Sequence, residues 1–358
     1  MASYYPSFEK LGGNKLEGIL SELIVSTQKV YGISLSEPDA LTLGRVIKLD
    51  RGYPLIMTSE GTVRAEHAIS LVKQVNERAA VGDWVLLSTP ESHDKALIEA
   101  IVPRKSQFGR WSGANTGDQQ VLAANVDLVL IAVVLNKKPI NQTSLERMVK
   151  SLIIAYEADC DAMVLLTKAD RKRDDKSLSE DLTTVKEVLG NHVEVFVTSS
   201  KSGKGIEELR KLLAQVDSAV ILGESGAGKT SMLNALIEQD ALETQAVRER
   251  DDQGRHTTVA REMISIPNSG IIIDAPGLRS IPLIYHEVGL KRAFPEISEA
   301  AEHCKFSDCS HHHEPGCAVQ TLIDSGKISE LRLELYKSIH SQMLKNEERI
   351  DSAFKHRR

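Results

Sequence analysis

Short apolar pieces separated by turn residues fill the chain from Leu43 to about Pro103: Gly44-Arg-Val-Ile-Lys48, Tyr53-Pro-Leu-Ile-Met57, Gly61-Thr-Val-Arg64 and Asp83-Trp-Val-Leu-Leu87. Several short strands at close spacing predict a small barrel, of OB-like type, with Val81-Gly-Asp-Trp84 as the turn into one strand. Past residue 112 the grammar changes. Asp127 to Val134 and Ala162 to Leu166 are continuous apolar runs, as expected of strands covered on both faces. Leu145 to Glu157, Leu182 to Leu189 and Ile206 to Leu213 carry helical periodicity, and Val193 to Val197 and Ser218 to Leu222 read as further strands. This alternation predicts a mostly parallel, doubly wound α/β sheet. The expected divisions are an extension over residues 1–38, the barrel over 39–112, the α/β domain over 113–290 and a C-terminal domain over 291–358.

At 358 residues the chain is long enough for two or three cores. Forty-four Lys and Arg stand against 50 Asp and Glu, giving a formal charge of −6 and a pI of about 6.0. That balance does not advertise nucleic-acid binding, although a local basic patch fits within it. Arg104, Lys105, Arg110 and the tail Lys355 to Arg358 are the candidates for such a patch. No stretch approaches the eighteen or so apolar residues of a membrane span, and the N-terminus lacks a basic start followed by an apolar core. Three of four cysteines crowd between 304 and 317, which points to metal rather than disulfides. A soluble, cytoplasmic protein is expected.

Gly223-Glu-Ser-Gly-Ala-Gly-Lys-Thr230 has the spacing GxxxxGK[ST] between a predicted strand and a predicted helix, Ser231 to Ile237. Its glycines let backbone N–H groups turn inward on phosphate oxygens, and the helix N-terminus adds partial positive charge. Gly223, Glu224, Ser225, Gly226, Ala227, Gly228, Lys229, Thr230 and Ser231 are therefore candidate nucleotide contacts. Lys229 would reach the β and γ phosphates, and Thr230 would hold Mg²⁺. A phosphate loop alone also suits a small-metabolite kinase, so the base must be identified elsewhere. Thr167-Lys-Ala-Asp170, directly after a predicted strand, supplies that motif. Asp170 can accept from the N1–H and exocyclic amine of guanine, whereas adenine presents the reverse pattern. Lys168 would lay its stem over the base, with Ala169 between. Thr167 stands where Asn is usual. Thr198-Ser199-Ser200-Lys201 closes the next strand as a loop backing the guanine. Downstream, Gly254-Arg-His-Thr-Thr258 offers Thr258 or Thr257 to Mg²⁺. Asp274-Ala-Pro-Gly277 places Asp274 on Mg²⁺ through water and the Gly277 N–H on the γ phosphate. The guanine motif thus precedes the phosphate loop, which is the order expected if the usual GTPase set were cut after DxPG and rejoined.

Cys304-Lys-Phe-Ser-Asp-Cys309-Ser-His-His-His-Glu-Pro-Gly-Cys317 supplies three thiolates and one of His311, His312 and His313 to a closed, structural zinc site. Cys160, isolated at the start of a strand, reads as a core residue.

Together these motifs resemble the circularly permuted ribosome-assembly GTPases called RsgA or YjeQ, from about Leu43 to Arg349. Gln120 to Asp127 and Glu314 to Val319 strengthen the resemblance. It implies an N-terminal OB fold, a circularly permuted P-loop GTPase core and a C-terminal helical zinc domain. It also favours His311 as the fourth zinc ligand. The implied function is GTP hydrolysis during late maturation of the small (30S) ribosomal subunit, stimulated by the subunit, with rRNA contacted through the OB and zinc domains by a monomer. Leu278 follows the DxPG glycine where Ras-like enzymes have the water-orienting Gln, so His256 becomes the candidate for that task.

Overall fold

The computed structural model describes residues 5–35, 37–50, 53–90, 94–111, 119–172, 174–237, 261–278, 281–312 and 314–355. Two helices, α1 (Gly13–Glu17) and α2 (Leu20–Tyr31), form much of the N-terminal extension. Phe8 packs edge-on against Trp84, 6.0 Å between ring centroids. Five strands follow: β1 (Thr42–Leu49), β2 (Leu55–Thr58), β3 (Gly61–His67), β4 (Trp84–Ser88) and β5 (Ala96–Ile101). β1 pairs with both β2 and β4, β3 runs parallel to β5, and β4 pairs with β5, so the ring closes in the order β1-β2-β3-β5-β4. Alternate residues point inward, and Val46, Ile56, Val85, Leu87, Ile98 and Ile101 fill the interior. The expected barrel is present, with β5 as a strand that the sequence pattern did not single out.

A register shift between Val46 and Lys48 bends β1 out of the barrel, where Lys48 and Leu49 pair with Glu262 and Arg261 of β12 (Arg261–Ser265). Barrel and α/β sheet therefore share hydrogen bonds. At the same junction Arg45, 3% exposed, donates to the carbonyls of Gly82, Leu11 and Asn125 and lies over Trp84. Burial pushes its guanidinium down to about 10, still protonated at neutral pH. Gly82 has φ 93°, and a Cβ there would sit 2.0 Å from the Ala124 carbonyl oxygen, so only glycine admits this approach.

The hairpin of β6 (Gln107–Trp111) and β7 (Gln119–Ala124) leads to the α/β sheet. Gln120 to Ala124 thus belongs to a hairpin strand. Then come β8 (Leu128–Val134), α3 (Gln142–Glu157), β9 (Asp161–Thr167), α4 (Asp175–Leu189), β10 (Glu194–Val197), α5 (Ile206–Leu213), β11 (Ala219–Gly223), α6 (Lys229–Ile237), β12 and β13 (Ile271–Asp274). The strand order is β10-β9-β8-β11-β13-β12, parallel throughout except for β12. Leu130, Leu165 and Ile272 meet α5 and α6 on one face, while Val129, Ile131 and Val164 meet α3 and α4 on the other. Burial on both faces explains the unbroken apolar runs. Cys160 is buried, as expected of a core residue, and burial pushes its thiol up to about 12.

The C-terminal part contains α7 (Glu287–Ala293), α8 (Pro295–Ala301), α9 (Ala318–Asp324) and the long α10 (Glu330–Lys355). Arg332 at the start of α10 pairs with Glu296, donates to the carbonyls of Val188 and Ala293, and stacks on Phe294. Further along, Gln342 bonds Lys150 and Glu146 of α3, and Asn346 donates to the Leu283 carbonyl at 3.1 Å. Tyr285 donates its backbone N–H to Glu347 and its hydroxyl to Asp351. One helix thereby reaches from the cysteine cluster to the segment that follows Gly277.

Candidate nucleotide site and metal centre

β11 ends at Gly223 and α6 begins at Lys229, so the phosphate-loop motif occupies the turn between a buried strand and a helix N-terminus. Gly223, Gly226 and Gly228 all have positive φ. A Cβ on Gly223 would meet the Ala132 carbonyl oxygen at 2.7 Å, which ties this glycine to the neighbouring strand β8. Lys229 Nζ donates to the carbonyls of Gly223 and Glu224, each at 2.8 Å. Ser225 and Gly226 are exposed, Ala227 is buried, Thr230 is half-buried and Ser231 is exposed on the first turn of α6. Glu224 pairs with Arg147 of α3, a partnership that no local spacing announces.

The guanine motif lies against this loop although it precedes it by 58 to 60 positions. Thr167 Oγ1, on a residue 4% exposed, donates to the Ala227 carbonyl at 2.8 Å and reaches that of Val133 at 3.3 Å. Lys168, in the left-handed region at φ 60°, donates from Nζ to the Gly226 carbonyl and runs its stem past Gly228. A short turn, Ala169–Arg171, then presents Asp170. Ser199 donates its hydroxyl to Asp170 Oδ1 at 2.6 Å, and the Ala169 N–H bonds the Thr198 carbonyl at 3.1 Å. That Ser199 bond holds the Asp170 carboxyl below its ordinary value. Ser199 is buried, its own N–H is taken by the Lys204 carbonyl, and Ser200 follows it half-buried. Behind the motif stands a buried ion pair invisible to sequence patterning: Lys172 with Asp181, each side chain 3% exposed. The Asp181 carboxylate also accepts from the Ile140 N–H at 3.0 Å.

Asp274 ends β13, the neighbour of β11, and Gly277 follows at φ 104°. Leu278 is 1% exposed, turned into the core. His256, Thr257 and Thr258 lie outside the described residues. A cavity of about 650 Å³ adjoins the phosphate loop between α3, Ile281 to Leu283 and α10. It does not include the guanine loops. Of the candidate basic patch, Arg104 is engaged instead, bonded to Asp83 and Glu77 with its side chain 7% exposed.

Cys304, Cys309, His311 and Cys317 present ligand atoms that all lie within 4.8 Å of one another. Cys304 Sγ is 3.9 Å from Cys317 Sγ, and His311 Nδ1 is 3.6 Å and 3.5 Å from those two sulfurs. Tetrahedral zinc with bonds of about 2.3 Å to sulfur and 2.0 Å to nitrogen requires edges of roughly 3.8 and 3.5 Å. The donor set therefore fits. Gln320 fixes the His311 carbonyl at 2.8 Å, whereas His312 turns its Nδ1 to Ser310. Glu314 accepts from Ser310 and from the His312 N–H, and these bonds push its carboxyl down to about 2.

The chain matches the RsgA GTPase family over residues 101–284. It is 37% identical to the small ribosomal subunit biogenesis GTPase RsgA of Streptomyces coelicolor over 84% of this chain and 80% of that one. The protein of the same name from Streptomyces avermitilis is 36% identical over 85% and 80%. Among solved structures, YjeQ from Thermotoga maritima superposes with a TM-score of 0.63 at 27% identity, covering 85% of this chain and 99% of its own. YloQ, described as a circularly permuted GTPase, shares the fold at 20% identity and a TM-score of 0.60, covering 88% and 99%.

Proposed function

The chain belongs to the RsgA GTPase family, and from that premise we propose that it binds GTP at the paired loops and hydrolyses it to GDP and phosphate during late maturation of the small ribosomal subunit. The observation that carries this reading is the direct bonding between the two motifs, Thr167 to Ala227 and Lys168 to Gly226. Such bonding supports a single ligand that spans a guanine-type acceptor and a phosphate cradle.

Asp170 accepts from the guanine edge, oriented by Ser199, with Ser200 beside it. The stem of Lys168 covers the base. Thr167 acts through the phosphate loop, since its hydroxyl faces the Ala227 carbonyl. Ala169 holds the turn. Backbone N–H groups from Glu224 to Thr230 cradle the phosphates, and Lys229 rotates from the Gly223 and Glu224 carbonyls to the β and γ oxygens. Thr230 and Asp274 would hold Mg²⁺, joined by Thr258, and the Gly277 N–H would meet the γ phosphate. When bound, Mg²⁺ neutralises charge developing on the phosphoryl oxygens. Leu278 offers no hydrogen bond to water, and His256 is assigned to orient the attacking water. Cys304, Cys309, His311 and Cys317 would hold one zinc with no open position, so its part is structural. The assigned divisions are 1–38 extension, 39–112 OB domain, 113–290 GTPase domain and 291–358 zinc domain. The OB and zinc domains are assigned contacts to rRNA, and the protein acts as a cytoplasmic monomer; no described helix is long and apolar enough to cross a membrane.

Turnover of GTP and ATP, each with and without purified small subunits, tests the reading. GTP should be hydrolysed, and the subunit should accelerate it by about a hundredfold or more, the low end of what an ordered catalytic group contributes. Equal use of ATP, or no response to subunits, would overturn it.

A further inference from the structure

β8, β9 and β10 are parallel neighbours, so the loops at their carboxyl ends lie side by side. Those loops carry Lys137, Lys138, Arg171, Lys201 and Lys204, all exposed. Not one has an ion-pair partner among the described residues. They contain two carboxylates, Asp170, bonded to Ser199, and Asp174, which caps α4 by accepting from the Ser177 N–H. A chain with net charge −6 therefore gathers these five exposed cations against two carboxylates on one rim. Like charges this close repel, and a polyanion relieves them.

The rim is built rather than incidental. Lys172 Nζ donates to the Lys138 carbonyl at 3.2 Å while paired with Asp181, and Asp181 in turn holds the Ile140 N–H. Asn141 caps α3 by accepting from the Ser144 N–H. With their backbones so fixed, Asn136, Lys137, Lys138, Pro139, Asn141 and Arg171 line an open pocket of about 540 Å³. No aromatic ring lines it, which suits phosphate contacts rather than base stacking.

We propose that this rim docks on the phosphate backbone of small-subunit RNA, laying the RNA across the guanine end of the nucleotide site. The proposal rests on the GTPase reading for its partner and extends it by naming a contact surface on the GTPase core. Because the same loops present Asp170 and Ser199, RNA held there would also brace the base-recognition turn.

The test uses the full chain with zinc and a non-hydrolysable GTP analogue, titrated with purified small subunits and with protein-free small-subunit rRNA over roughly 50 to 250 mM salt. The triple variant Lys137→Gln, Lys138→Gln, Arg171→Gln should bind both at least about tenfold more weakly. Its plot of log affinity against log salt should be shallower by about 0.7 to 0.9 for every phosphate that the variant no longer neutralises. GTP affinity of the isolated variant should stay within about twofold. Unchanged affinity and slope would refute the docking surface and leave the GTPase reading standing. Weaker GTP binding by the isolated variant would assign the cations to the nucleotide instead, and a loss on subunits without one on naked rRNA would assign an acidic protein. Either overturns the proposal. Failure of the unaltered protein to bind subunits would overturn the GTPase reading and this inference with it.

Discussion

Thr167 bonds the phosphate loop through a single hydroxyl where the usual Asn brings an amide. Removing the hydroxyl leaves the Ala227 carbonyl without its donor in a buried setting, which costs about 1 to 3 kcal/mol. Thr167→Val should therefore weaken GTP binding roughly tenfold with little change in the rate once bound, and Thr167→Ser should restore it. Nucleotide titration with single-turnover kinetics checks the split; a lower rate at unchanged affinity would contradict it. Asp170→Asn exchanges an acceptor pair for an amide, which suits the C2 carbonyl of xanthine better than the amine of guanine. We expect a loss of GTP affinity of about a hundredfold or more and a gain for xanthosine triphosphate, measured by competition. Asp170, Lys229 and the cysteines were legible because their spacing is local. The acceptor of the Thr167 hydroxyl was not, since it belongs to a segment 60 positions away. Lys172 and Asp181 match no motif at all and become partners only when α4 packs beside the guanine turn.

Among the elements, α10 depends on the buried cluster around Arg332. Arg332→Ala leaves the Val188 and Ala293 carbonyls unpaired and should destabilise helix docking on the order of 3 kcal/mol, seen as lost amide protection along 330–346. Partial burial pushes the Glu296 carboxyl up, but the Arg332 bond outweighs it, and the net shift is downward from 4.5. A depressed folded value means that the contribution is complete above about pH 4.5 and is lost as pH falls through the folded value. The melting-temperature gap between the native chain and Glu296→Gln should accordingly hold above pH 4.5 and close as pH falls below it, through the depressed folded value. A gap that widened on acidification would reverse the assignment. The strands of the α/β region were readable because a two-sided sheet imposes apolar runs, and its helices to within three residues except α4, whose polar first two turns, Asp175 to Asp181, the periodicity missed. β5 was not, since Ala96-Leu-Ile-Glu-Ala-Ile101 mixes helix formers with strand formers. Only closure of the ring between β3 and β4 makes it a strand.

For the molecule as a whole, zinc held by the four proposed donors would organise the segment that carries them. Metal binding of this kind contributes on the order of 10 kcal/mol to folding. Chelation, or Cys317→Ser, should abolish amide protection across 304–324 while the sheet and GTP affinity persist; hydrogen exchange with bound nucleotide checks both. Protection unchanged across 304–317 would deny the metal that role. Motif order disclosed the permutation, and composition shifts disclosed the succession of domains. The way the domains meet stayed hidden, because it rests on residue 48 finding residue 262.

Since β1 continues past its barrel to pair Lys48 and Leu49 with Glu262 and Arg261 of β12, and the Lys48–Glu262 ion pair and the Lys10 bonds to Ser265 and Ile266 brace the same margin, a truncation that discards the first hundred or so residues strips these partners from the sheet's edge. The fragment would carry a raw β edge, inviting self-association. Its turnover and solubility would then report on that wound rather than on the enzyme, so shortened versions should retain β1 or replace it.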